Sequence, residues 1–172
     1  MSKGLPELIF PLQFARSGRS LQGRIPVARM ERLAESLYST AGEMRVELRF
    51  RRGNKGCLCV EGLIQGELRL VCQRCLESLP WLAHCEVRLG LIPTATAQEY
   101  LEPGYEPLVA QEDSPLPLAP IIEDELILAL PIAPMHPKDQ CPGADKADAS
   151  GTSHFDTKDT PFAALNRLKR RR

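Results

Sequence analysis

Polar and apolar residues alternate one by one in the segment EMRVELRF (43–50), the clearest periodic pattern in the chain. A period of two is typical of a strand with one buried and one exposed face. The segments 57–72 and 82–92 continue this pattern, and we expect a bend near Gly62 to Gly66 in the first of them. Together they predict an antiparallel sheet, either a meander or a small, partly open barrel.

Three other segments have helical spacing. PVARMERLAESLY (26–38) repeats apolar residues every three or four positions after a proline, which predicts an amphipathic helix covering the inner face of the sheet. A second helix is predicted over 120–130, where Pro131 ends it. The segment PFAALNRLKRRR (161–172) begins with a proline and predicts a short helix with a basic end.

These elements predict an α+β fold in which a few helices pack on an antiparallel sheet. Residues 1–141 are expected to form a single domain, with a long acidic, proline-rich loop over 93–119. Residues 142–160 have too little apolar content to pack, so we predict a flexible linker there. Residues 161–172 then form the short basic C-terminal helix or tail.

Length and composition favour a soluble cytoplasmic protein. The chain has 172 residues, of which 43% are hydrophobic, enough for one substantial core. It contains no run of about 18 apolar residues, and the first residues lack a small-residue cleavage site, so no membrane contact is expected. In the cytoplasm, the six cysteines are expected to be reduced or metal-bound.

The net charge of zero hides three blocks of opposite sign. Residues 1–90 carry 14 Lys and Arg against 9 Asp and Glu, residues 91–166 carry 3 against 13, and residues 167–172 carry 5 against none. A basic block attracts a polyanion by releasing its counterions, whatever the total charge of the chain is. The alternative is that these blocks are simply solvated surfaces.

Cys72 and Cys75 form a C-x-x-C motif, which is half of a structural zinc site. The segment PMHPKDQC supplies His136 and Cys141, whose spacing would let both side chains reach one ion. The other interpretation, of similar weight, is a pair of ordinary reduced thiols. A redox pair is less favoured because the motif joins strand to strand rather than strand to helix.

The remaining cysteines give weaker signals. His84 and Cys85 are a rival pair of ligands, but as neighbours on a strand they point to opposite faces. Cys57 and Cys59 share a face and are best interpreted as small core residues.

No sequence motif points to catalysis. The chain contains no nucleophile elbow, Walker loop, dinucleotide-binding glycines or HExxH, and we predict that it is not an enzyme. The acidic triplet Glu123, Asp124 and Glu125 lies on a predicted helix, where consecutive side chains diverge and cannot share one ion. We interpret it as a solvated face or a helix start.

Several of these segments together resemble the YceD family of large ribosomal RNA subunit accumulation proteins. The resemblance is carried by VCQRC (71–75), EDELILALPIAPMHPKDQC (123–141) and PFAALNRLKRRR (161–172), with VARMERLAESLY and YEPLVA in support. It implies a non-enzymatic role in the synthesis, processing or stability of 23S ribosomal RNA. Some members of the family have further cysteines after the ALP stretch, which implies a zinc site; here that region has only His136 and Cys141.

The expected partner is ribosomal RNA or a precursor of the large subunit, contacted weakly and without sequence preference. No interleaved aromatic set supports reading of single-stranded RNA. The alternative is an adaptor or chaperone that docks a basic ribosomal protein or an RNA-modifying enzyme through Glu123, Asp124 and Glu125. The expected phosphate contacts are Arg45, Arg49, Arg51, Arg52, Lys55, Arg167, Lys169, Arg170, Arg171 and Arg172.

Overall fold

The computed structural model describes residues 4–53, 56–94, 97 and 101–142, and within them the chain forms an open α+β fold. This confirms the predicted fold class and selects an open sheet over a barrel for the described part. The six-stranded sheet has the order β2-β4-β5-β6-β7, with β3 paired to β5, and β1 and β8 form a separate pair. The strands are β1 (Leu8–Ile9), β2 (Ser20–Pro26), β3 (Leu37–Ser39), β4 (Glu43–Arg52), β5 (Leu58–Val71), β6 (Ser78–Ile92), β7 (Glu106–Val109) and β8 (Leu116–Pro117).

Strands β4, β5 and β6 form the predicted antiparallel meander. Burial alternates along β4 as its sequence indicates, so its apolar side chains face the core. The expected bend near Gly62 to Gly66 does not interrupt β5, because its pairing with β6 runs unbroken from Leu58 to Val71. Gly62 instead allows close approach of the neighbouring strand, since a Cβ there would lie 2.0 Å from the carbonyl oxygen of Glu47.

Two helices cover the apolar face of the sheet, α1 (Pro11–Ser17) and α3 (Leu118–Ala129). The ring of Phe14 in α1 meets Phe50 of β4 edge to face, with the ring centroids 5.3 Å apart. Leu118, Ile122 and Leu126 place the buried face of α3 in the same core. The predicted second helix is therefore present, although it begins and ends slightly earlier than 120–130.

The predicted helix over 26–38 is wrong. The chain there forms the end of β2, a 3-10 turn (Val27–Arg29), the four-residue helix α2 (Glu31–Ala34) and β3. Val27, Met30 and Leu33 are fully buried, so the apolar positions were identified correctly while their period was not. Leu37 pairs with Leu70 of β5, and this pairing fixes the end of the segment as a strand, whereas a helix of about thirteen residues has little stability of its own.

The acidic stretch 93–119 is only in part a loop. It contains β7, which lies parallel to the end of β6, and β8, which pairs with β1. Both strands are short and exposed, so they carry no alternation that the sequence could reveal. The predicted linker beyond Pro142 and the predicted tail helix lie outside the described residues. Among the residues described, no helix has the length and apolarity needed to cross a membrane.

Candidate metal centre and charged surfaces

The turn between β5 and β6 and the segment that follows α3 bring four potential metal ligands together. The N–H of Gln73 donates to the carbonyl of Pro134 at 2.8 Å, which holds the two segments side by side. The ligand atoms all lie within 4.8 Å of one another, although they come from two pairs of residues that are 61 positions apart at their nearest. The four residues are Cys72, Cys75, His136 and Cys141.

The C-x-x-C turn is held by its own backbone. Leu76 donates its N–H to the carbonyl of Cys72 at 2.9 Å, and Cys72 donates to the carbonyl of Glu77 at 3.0 Å. Leu76 has a φ of 63°, in the left-handed region, which costs a leucine about 1–2 kcal/mol. This conformation closes the turn so that Cys72 and Cys75 point to the same side.

His136 is oriented as a metal-binding histidine would be. Its Nε2 lies 3.1 Å from the carbonyl oxygen of Ser78, so that Nε2–H donates there and Nδ1 is the nitrogen left to bind an ion. Nδ1 lies 3.4 Å from Sγ of Cys75. A backbone carbonyl is present at every residue, so no sequence signal could have identified Ser78 as this second contact.

The electrostatics of the cluster favour one thiolate. Burial alone would raise the pKa of Cys72, but backbone N–H groups of Cys75, His136 and Arg74 stabilise the thiolate and lower that pKa to about 5. Burial, with the nearby sulfurs of Cys72 and Cys141, raises the pKa of Cys75. The two cysteines of the motif are therefore not equivalent.

The donor set fits zinc or a similar soft ion. Three sulfurs and one imidazole nitrogen form a closed set of four, which is the composition of structural zinc sites. Ligand atoms on a tetrahedral zinc are about 3.3–3.8 Å apart, given bond lengths of about 2.0–2.3 Å. The Cys75 Sγ to His136 Nδ1 separation of 3.4 Å already lies in that range. The other ligand atoms lie within 4.8 Å of one another, so binding of zinc would draw the widest pairs together by about 1 Å.

The other cysteines are placed as ordinary thiols. His84 is exposed on the outer face of the sheet and contacts Gln65, whereas Cys85 is buried, so these neighbours point apart as expected. Burial raises the pKa of Cys85 to about 11, and its Sγ contacts the carbonyl of Glu125. Cys59 is buried, whereas Cys57 is half-buried. All six cysteines lie within the described ranges, and none of them forms a disulfide.

The outer face of the sheet carries many arginines, but most of them are matched by glutamates. Arg45 pairs with Glu47 at 2.6 Å, and the guanidinium of Arg51 holds the carboxylate of Glu61. Arg49 makes no ion pair with a described residue. Three further pairs on this face are Arg24–Glu43, Arg69–Glu67 and Arg88–Glu86.

This face is therefore close to neutral, and of the predicted phosphate contacts on β4 only two are uncommitted, Arg49 and the exposed Arg52. Lys55 and the predicted contacts of the tail, residues 167–172, lie outside the described residues, so their role stays a prediction.

The acidic triplet is not a uniform solvated face. Glu123 is 5% exposed and accepts hydrogen bonds from Leu33 and Arg32. Asp124 is exposed and pairs with Arg32 at 2.7 Å, while Glu125 is half-buried. Burial raises the pKa of Glu125 to about 7, with further contributions from Glu106 and Asp124. A docking role for the triplet stays a prediction, and the expectation of a solvated face is wrong for Glu123.

Comparison with known proteins identifies the family. The family model described as "Large ribosomal RNA subunit accumulation protein YceD" matches residues 60–169, which include all four candidate ligands. A Haemophilus influenzae protein with the same description is 30% identical over 169 residues, covering 97% of each chain. No solved structure matches the chain. The chain belongs to the YceD family of large ribosomal RNA subunit accumulation proteins.

Proposed function

We propose that this protein acts in the cytoplasm as a non-enzymatic factor that supports the synthesis, processing or stability of 23S ribosomal RNA. The observation that carries the proposal is the family match, whose description names accumulation of the large-subunit RNA. The absence of any known catalytic motif in the sequence supports a binding role. The partner is ribosomal RNA or a precursor particle of the large subunit.

Within this function, the basic tail is the main phosphate contact. The five ion pairs on the outer sheet face leave that surface little net charge for a polyanion. The last six residues carry five positive charges and no negative ones. Binding through such a tail is electrostatic, so it is sensitive to salt and nearly independent of sequence.

The test is binding of the full-length protein to fragments of 23S ribosomal RNA over a series of salt concentrations. Replacing the last four residues (Lys169→Ala, Arg170→Ala, Arg171→Ala, Arg172→Ala) is expected to weaken binding. The slope of log K against log salt should become shallower by about 3, at roughly 0.7–0.9 per lost phosphate contact. A matched control, Arg24→Ala with Arg69→Ala, removes two arginines that already have glutamate partners. Equal losses in both variants, or none in the tail variant, would contradict a tail contact.

The second part of the proposal is a structural zinc ion held by Cys72, Cys75, His136 and Cys141. Their convergence and the Ser78 contact of His136 support it. A bound zinc would supply cross-linking only, because all four positions are filled by the protein and none is left for a substrate. The hydrogen bond from Gln73 to Pro134 already holds the turn between β5 and β6 against the segment after α3.

Native mass spectrometry of the purified protein tests the zinc site. We expect one zinc per chain, lost in Cys72→Ser with Cys75→Ser together with thermal stability, since binding a metal that only the folded state can hold stabilises that state. Cys57→Ser is the matched control, because Cys57 is half-buried outside the cluster. A metal-free wild-type protein after growth with added zinc would overturn this part and leave the RNA proposal standing.

A further inference from the structure

A groove between the edge strand β7 and helix α3 has an apolar floor. It encloses about 330 Å³. Leu128 beside it is 71% exposed. The apolar side chains along the groove are Leu89, Leu108, Ile121, Ile127 and Leu128.

The rim of the groove is acidic, with Glu106, Asp124 and Glu125 against one cation, Arg32, among the described residues that line it. Arg32 lies at the groove, but it already binds Glu123 and Asp124. Glu106 and Glu125 make no ion pair with a described residue. Burial is the main cause of the raised pKa of Glu125, and the neighbouring carboxylates Glu106 and Asp124 raise it further.

On the outer sheet face, unlike in the groove, arginines compensate the glutamates. On that face five glutamates each have an arginine within ion-pair distance. The groove combines exposed apolar surface with unpaired negative charge, and such a surface fits a segment that is both apolar and basic.

The chain itself contains a segment with that pattern. Residues 161–172 place Phe162, Leu165 and Leu168 at three-residue intervals and end in five positive charges. The described part of the chain ends at Pro142, near the metal cluster, and residues 143–160 separate it from this segment. A chain of eighteen residues with the properties of a flexible linker spans about 23 Å on average and up to about 60 Å when extended. Tethering at that length gives an effective concentration in the millimolar range, so weak contacts suffice.

We propose that the groove between β7 and α3 binds the basic C-terminal segment of the same chain, residues 161–172. The apolar side chains of the segment lie on the groove floor, and its cations face Glu106, Asp124 and Glu125. Docking holds the tail on the domain in the absence of a polyanion. The further consequence, that ribosomal RNA competes with the groove for the tail, rests on the proposed function.

The first test is zero-length cross-linking of the full-length protein without RNA. A carbodiimide joins a lysine amine to a carboxylate in contact with it, and Lys169 is the only lysine in the segment. We expect cross-links within one chain from Lys169 to Glu106, Asp124 or Glu125. Cross-links confined to the nearby acids Asp156 and Asp159, or spread to Glu47 and Glu86 on the outer sheet face, would overturn the proposal. Cross-links between chains would assign the groove to a second copy, and that outcome also overturns it.

Hydrogen exchange of matched variants tests the contact without cross-linker. We expect residues 161–172 to be protected several-fold in the wild-type protein and to lose that protection in Glu106→Gln with Glu125→Gln. At pH 8, where Glu125 is largely ionised, Glu47→Gln with Glu86→Gln removes the same charge from the outer face and should leave protection unchanged. Glu106→Gln alone, at an exposed position, keeps the test valid if the double variant folds poorly.

A third variant separates docking from simple charge attraction. Leu165→Ser with Leu168→Ser keeps all five positive charges and should still abolish most of the protection. Unchanged protection would mean that the segment is not seated on the apolar floor, which overturns the proposal. Docking is measured here without RNA, so its failure is distinct from that of the proposed function. If an added 23S fragment fails to release a docked tail, only the competition is refuted.

Discussion

The backbone N–H of Leu33 donates a hydrogen bond of 2.9 Å to the carboxylate of Glu123, ninety residues further along the chain. The same carboxylate accepts from Nε of Arg32 at 3.2 Å. Helix α2 is only four residues long and its first N–H groups have no partners within it. Glu123 thus completes the hydrogen bonding of α2 and fastens it to α3.

Replacing Glu123 with alanine should therefore be costly. Glu123→Ala leaves the N–H of Leu33 buried without an acceptor, and we expect a loss of about 2–4 kcal/mol in the free energy of unfolding. Asp124→Ala is the matched control, because this exposed carboxylate pairs with the same arginine and should cost less than about 1 kcal/mol. Urea denaturation measures both values. Similar losses in the two variants would contradict a special role for the buried carboxylate.

The raised pKa of Glu125 predicts that the variant Glu125→Gln is more stable than wild type at high pH. Burial raises its pKa from 4.5 to about 7 in the folded protein, so the folded state favours the protonated form. The wild-type stability is then complete below about pH 4.5 and declines as the pH rises through 7. Glu125→Gln keeps the shape without the charge, so it should be more stable than wild type by roughly 1–3 kcal/mol at pH 8.

The free energy of unfolding of both proteins, measured at pH 5 and pH 8, tests the direction of this change. The advantage of Glu125→Gln should be small at pH 5 and should grow toward pH 8. Glu86→Gln, on the outer face, serves as the control and should show no such growth. A constant difference across this range would mean that Glu125 is ionised in the folded state well below neutral pH.

Gly62 is required by the packing of β5 against β4. A Cβ at this position would lie 2.0 Å from the carbonyl oxygen of Glu47, and backbone atoms cannot move aside as a flexible side chain can. Gly62→Ala should therefore cost more than about 2 kcal/mol, in the range of overpacked cores. Gly4→Ala is the control, since nothing lies within 4 Å of the added methyl group. Thermal melting of the two variants compares them directly, and equal melting temperatures would refute the requirement.

The features that the sequence predicted correctly depend on local patterns. The alternation in β4 identified a half-buried strand, because burial there follows directly from the period of two. The convergence of the four candidate ligands could be predicted because each half, Cys72 with Cys75 and His136 with Cys141, has a short spacing of its own. In the folded chain the two halves lie together, with their ligand atoms within 4.8 Å of one another.

The features that the sequence missed depend on distant partners. The segment 26–38 has the apolar spacing of one long helix, but only the short α2 forms there. The N–H of Leu33 in α2 donates to Glu123, a partner ninety residues away that the local pattern does not reveal. The same contact explains why a residue expected to be solvated is buried. Strand β7 pairs through its backbone with the end of β6, and backbone groups are the same in every sequence.

A three-residue network on the outer face allows a final prediction. Glu61 accepts hydrogen bonds from Arg51 and from the hydroxyl of Tyr105, and these donors lower its pKa to about 2. For a carboxylate with a lowered pKa, the stabilisation is present above pH 4.5 and is lost as the pH falls toward 2. Tyr105→Phe removes one donor and should cost about 1 kcal/mol at pH 7.

The difference between Tyr105→Phe and wild type should shrink as the pH falls from 4.5 to 2, because a protonated Glu61 no longer gains from the charge-assisted bond. Tyr38→Phe is the matched control, since Tyr38 is 51% exposed and lies far along the sheet from Glu61 in register. Urea unfolding at pH 7 and pH 2 measures the two differences. If the difference for Tyr105→Phe is the same at both pH values, the hydroxyl does not stabilise the ionised carboxylate, and Arg51 alone accounts for the low pKa of Glu61.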